Sequence, residues 1–142
     1  MRYDAEDMAL KTSAVERTRA AEPGMLVLLC LAAWVVPGAG HLWMGRRQKG
    51  LVFLLALPAM FLCGLLMHGR IFPFDFSEPL VGLAAFANLG AGAPWLLARM
   101  VDAGAGTVTA VTYEYGNSFL IVAGLLNTLV VLDAFDIGMG RK

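Results

Sequence analysis

His41 is the side chain best equipped for chemistry, standing between Gly40 and Leu42-Trp43 near the end of a long apolar run. An imidazole at a helix end beside glycine can ligate a heme iron or a chlorophyll magnesium, because glycine lets a flat macrocycle approach. The competing reading has the ring capping a hairpin, bonded to a backbone carbonyl freed by Pro37. His68 lies at the far end of the next apolar run, too distant for a bis-histidine pair with His41. Asp133 and Asp136 are spaced i,i+3 and share a helical face. Paired carboxylates can act as acid and base or bind a cation. Where a helix leaves an apolar layer, an interfacial salt bridge is the expected use, with Arg70, Arg17 and Arg19 as the reachable cations. Asn88 and Asn127 lie inside apolar runs, where an amide needs partners. A hydrogen bond between helices is worth about 0.6 kcal/mol there and at most ~2, so helix packing is their expected role. Cys30 and Cys63 form no CxxC pair and no metal-ligand spacing, and read as small buried hydrophobes. No serine and histidine share a nucleophile–base spacing. The chain is expected not to be an enzyme, and no metal site is expected.

The elements that must position these residues are four stretches without Asp, Glu, Lys or Arg, at 25–45, 50–69, 79–98 and 115–132. A hydrocarbon core of about 30 Å needs roughly 20 apolar helical residues. The 142 residues are 58% hydrophobic and 15% charged, with a mean hydropathy of +0.68, outside the usual soluble range. The expected fold is therefore all-α: an integral membrane bundle of four spans, opening with a tight helical hairpin. Zero net charge gives no footprint for nucleic acid.

Residues 1–24 form a polar segment of mixed charge, a surface helix or a partly ordered tail, with Asp7 and Lys11 at i,i+4. Its acidic residues fit no signal peptide, so 25–45 reads as a mature helix. Arg46-Arg47-Gln48-Lys49 is the whole link between the first two runs, short enough to demand an antiparallel hairpin. Trp43 suits the interface and Arg46, Arg47 and Lys49 suit lipid phosphates. The third stretch is the weakest span, interrupted by Asn88, Gly90, Gly92 and Pro94; a re-entrant or interfacial segment is its alternative. Four spans put 68–78 and 99–114 on opposite faces. Cations then divide without clear bias, so orientation stays open.

The string from Pro37 to Gly50 resembles the hairpin of two-transmembrane-helix domains, with Gly40, His41, Trp43, Gly45, Arg46 and Gly50 matching. The family's Arg-Phe-Tyr after the histidine is replaced by Leu42-Trp43-Met44. The ending Ala123-Gly124-Leu125-Leu126-Asn127 through Asp133-Ala134-Phe135-Asp136 resembles an uncharacterised bacterial family of small multi-span membrane proteins. That resemblance implies a multi-pass protein of the bacterial inner (cytoplasmic) membrane.

The leading expectation for function is a non-catalytic accessory or scaffolding subunit, packing through its helices against other membrane subunits or itself. The alternative is a small subunit of a bioenergetic or photosynthetic complex, touching chlorophyll or heme through His41. A small transporter or channel is a third class, opposed by span centres that lack ionisable groups.

Overall fold

The computed structural model describes residues 2–19 and 22–142, with side chains for 4–14 and 22–142. Seven helices are present among them: α1 (Arg2–Arg19), α2 (Pro23–Val35), α3 (Ala39–Trp43), α4 (Arg47–Leu66), α5 (Pro79–Leu89), α6 (Ala93–Met100) and α7 (Tyr113–Gly138). The described residues form no strand beyond one isolated bridge, Arg70 to Ala105. Helix α1 is exposed along its described side chains and carries the expected Asp7–Lys11 pair at 2.9 Å.

Two helices are long and apolar enough to cross a membrane, α4 and α7. They pack antiparallel. At one end Gly64 and Gly69 abut Gly116, and at the other Lys49 reaches Asp133 at 3.7 Å. The close approach follows from composition: a methyl on Gly116 would sit 2.6 Å from the Gly69 nitrogen. Small residues are what allow helices to pack closely in lipid. The end with residues 44–49 is called here the hairpin end, the other the distal end.

The remaining apolar segments do not cross between these ends. Helix α2 starts at the hairpin end, where Leu26 and Leu29 lie against Gly138. Pro23 sits in its first turn, where a missing N–H costs nothing. It stops at Val35, and its Trp34 carbonyl meets Asn127 midway along α7. The chain then turns through Gly38, whose φ of 84° suits glycine, and α3 runs back along α2 to the hairpin end. The expected span at 25–45 is thus a helix and a short return.

The segment at 79–98 behaves likewise from the opposite side. Helices α5 and α6 are bent by 107° at the break between them. The flanking loops are tied together: Thr107 N donates to the His68 carbonyl at 3.1 Å, and Ile71 N to the Gly104 carbonyl at 2.8 Å. A segment whose two flanks are hydrogen-bonded to each other enters and leaves on one side. The expected four-span path is therefore corrected to two long helices with two broken hairpins, one entering from each end. The bend joining α5 to α6 seats Gly92 (φ 72°) against the Trp34 carbonyl, leaving no room for a Cβ. Toward the distal end, α6 packs Ala98 into a core with Phe61, Ile71, Leu120 and Ala123.

This path predicts which loops share a compartment. With Cys30 and Cys63 replaced by alanine, cysteines placed at Ser77 and Thr109 should label from one side of the membrane, and a cysteine at Gln48 from the other. Labelling of positions 77 and 109 from opposite sides would restore a crossing α5–α6.

Candidate functional site

The polar chemistry of the bundle gathers in two places, one midway along α7 and one at the hairpin end. The central one begins from an obligation of helix ends. The last turn of a helix leaves carbonyls without intrahelical partners, and in an apolar layer no water is available for them. Here two such ends, those of α2 and α5, meet near the middle of α7. Asn127, fully buried, donates its amide Nδ2 to the Trp34 carbonyl at 3.0 Å and to the Gly90 carbonyl at 2.8 Å. The Trp34 indole Nε1 donates to the Leu89 carbonyl at 3.1 Å. One amide and one indole thereby join hairpins that enter from opposite ends. Asn88 is also fully buried, on α5, and its amide has no hydrogen-bond partner among the described protein atoms.

The second cluster centres on His41 and Asp133. Gly40 allows α3 to lie against Ala33 of α2 and Ala134 of α7, which sets the neighbouring His41 beside Asp133. The imidazole is fully buried, and its Nε2 lies 2.9 Å from Asp133 Oδ2. The Phe53 ring packs on it edge to face at 5.2 Å. Asp133 also receives the Lys142 ammonium on Oδ1, with Lys49 at 3.7 Å. Arg46 donates to the Lys142 carbonyl, and Arg141 pairs with Asp136 at 3.4 Å. The bond to Asp133 and the carboxylate's charge raise the Lys142 pKa above its ordinary value. A cation stabilised in the folded state contributes through neutral pH, and the contribution disappears as pH climbs past its raised value.

Several expected roles change with this geometry. The His41 ring has no exposed face for a macrocycle, and its Nε2 is engaged by Asp133. The cations reaching Asp133 are Lys49 and Lys142, not Arg70, which stands at the distal end with its backbone N–H bonded to Asn117 Oδ1 at 2.7 Å. The expected partnership failed because it assumed four crossings, which would have put the C-terminal end of α7 beside Arg70. Arg17 and Arg19, the other expected partners, have side chains outside the described residues. Trp43, Arg46, Arg47 and Lys49 are exposed at the hairpin end. Among the described residues no three His, Cys, Asp or Glu side chains group as a metal site.

Sequence reasoning missed Trp34 and Asn117. A signal for the central junction was available: Gly38-Ala39-Gly40-His41-Leu42-Trp43 and Gly90-Ala91-Gly92-Ala93-Pro94-Trp95 share a Gly-Ala-Gly-x-x-Trp pattern, and each lies at the break of a hairpin. Paired glycine interruptions of apolar segments in the two halves of a chain mark broken helices.

The family profile described as "Family of unknown function (DUF6677)" matches residues 28–142, and the chain belongs to that family. No curated protein and no solved structure matches it.

Two substitutions test the clusters. Asn127→Leu removes both bonds to the helix-end carbonyls and should destabilise the protein by about 1–3 kcal/mol in denaturant titrations in detergent. Unchanged stability would mean the carbonyls are satisfied otherwise. Asp133→Ala leaves a buried imidazole without its partner and should cost about 1–3 kcal/mol. Asp133→Asn, which keeps an acceptor for His41, should cost less; equal losses would assign the effect to charge alone.

Proposed function

For this member of a family of unknown function, we propose a non-catalytic role as an accessory or scaffolding subunit that packs against other membrane subunits or a second copy of itself. The observation that carries the reading is the use made of the interior polar groups. Asn127, Trp34, Asn117, Thr112 and the His41–Asp133 pair all bond the chain's own backbone or each other. They act as connectors of the fold, while the perimeter offers large apolar side chains such as Leu55, Leu83 and Leu129. Grooves between the helices are lined mainly by such side chains, as suits helix packing in lipid more than turnover of a polar substrate.

The proposed setting is the bacterial cytoplasmic membrane, with the hairpin end in the cytoplasm. Within the bundle, Arg46, Arg47, Lys49, Arg141 and Lys142 stand at that end, and Arg70 and Arg99 at the distal end. Short cytoplasmic segments carry the excess of Lys and Arg. The uneven distribution depends on the doubled-back path, since a four-span path would have spread these cations over both faces.

Mass analysis of the protein extracted from its native membrane in a mild detergent should show a defined assembly, homomeric or with another membrane protein. A monomer throughout, at every detergent concentration tested, would overturn the packing role. A membrane-impermeant thiol reagent applied to intact cells should label a cysteine at Thr109 and spare one at Gln48. The reverse pattern would invert the orientation.

A further inference from the structure

We infer that the hairpin end seats one anionic phospholipid, with an acyl chain between α4 and α7 and its phosphate among the cations of the hairpin turn. The chain site is an apolar groove of about 380 Å³, formed by Val52, Ala56 and Met60 of α4 and Leu126, Leu129 and Val130 of α7, with Asp133 at its mouth. From Val52 to Met60 it follows about 12 Å of helix, a length suited to part of one acyl chain. Beside the mouth, Gly45 through Lys49 line an open recess of about 390 Å³. Lys49 joins the two, since its neighbours line the recess and its ammonium stands 3.7 Å from Asp133.

Charge decides which headgroup fits. Asp133 is already held by Lys142 and His41, so its negative charge is matched within the protein. Lys49 is about half exposed and makes only the long contact to Asp133, which leaves it able to turn toward a phosphate. Arg46 and Arg47 flank it; Arg46 donates to the Lys142 carbonyl, whereas Arg47 has no ion pair among the described residues. The first turn of α4 carries no acidic residue and no side-chain cap, so its positive end adds to the field. An anionic headgroup gains from this excess, because Lys and Arg near a membrane surface attract negatively charged lipid. A zwitterionic headgroup carries its own compensating cation and gains less. The inference does not rest on the packing role, and the two have separate readouts.

The test is native mass spectrometry of the delipidated protein in detergent, titrated with phosphatidylglycerol or with phosphatidylcholine of the same acyl chains. The expected result is one retained phosphatidylglycerol, half-saturating at a concentration at least fivefold lower than phosphatidylcholine. The double variant Arg47→Gln, Lys49→Gln should lose that preference. Its two exposed positions lie outside the buried core, and an unchanged melting temperature would show that it is folded. Ala56→Trp, at an exposed position in the groove, should weaken retention of both lipids by fivefold or more; Leu129→Trp serves the same purpose should the first variant fail to fold. Inorganic phosphate at millimolar concentration should not displace the lipid. Equal retention of the two lipids by the unaltered protein, a preference that survives the double variant, or displacement by phosphate would each overturn the inference.

Discussion

The fold depends on how two interrupted helices end inside an apolar layer. The C-terminal ends of α2 and α5 bring carbonyls with no intrahelical partner to the middle of the bundle, where exposure to lipid would cost several kcal/mol for each. Asn127 supplies two donors from one amide, and Trp34 supplies a third. Because Asn127 belongs to α7, the longest helix, the two hairpins are referenced to one continuous element. Proline and glycine end α2 and α5 locally, and these donors satisfy the carbonyls left where the two ends face one another.

Both ends of the α4–α7 pair are then closed by different chemistry. At the distal end the connection is mostly backbone: glycines bring α4 and α7 into contact, and the loops on either side of α5–α6 bond each other. At the hairpin end it is ionic, with Asp133 collecting His41, Lys49 and Lys142. The buried pair with His41 fixes the position of α3, whereas the exposed contacts with lysine are screened by water and contribute little individually. The hairpin end therefore combines a buried inner contact with exposed outer cations.

This organisation bears directly on the functional reading. Polar residues inside a membrane are commonly taken as markers of a pathway or a cofactor. In this protein the requirement that broken helices be satisfied accounts for Asn127 and Trp34, and the buried His41 has a structural partner in Asp133.

The sequence by itself determined the composition of the elements. Uncharged runs of bilayer length identified α4 and α7, and Pro23-Gly24, Pro37-Gly38 and Gly90 to Pro94 were legible as interruptions, because these residues act through local backbone geometry. The amides of Asn88 and Asn127 could be recognised as anomalous in hydrocarbon for the same local reason. Hydropathy, however, has no direction: a run of 20 apolar residues reads alike whether it crosses or folds back on itself. Whether 25–45 and 79–98 crossed was decided by contacts between residues distant in sequence, Thr107 with His68 and Asn127 with both Trp34 and Gly90. Those contacts also chose the partners of Asp133, since reversing a segment's exit moves every later charge to the other end of the bundle. Local chemistry is written residue by residue, but the side on which a chain emerges is a property of the closed set of hydrogen bonds, and only the tertiary structure closes it.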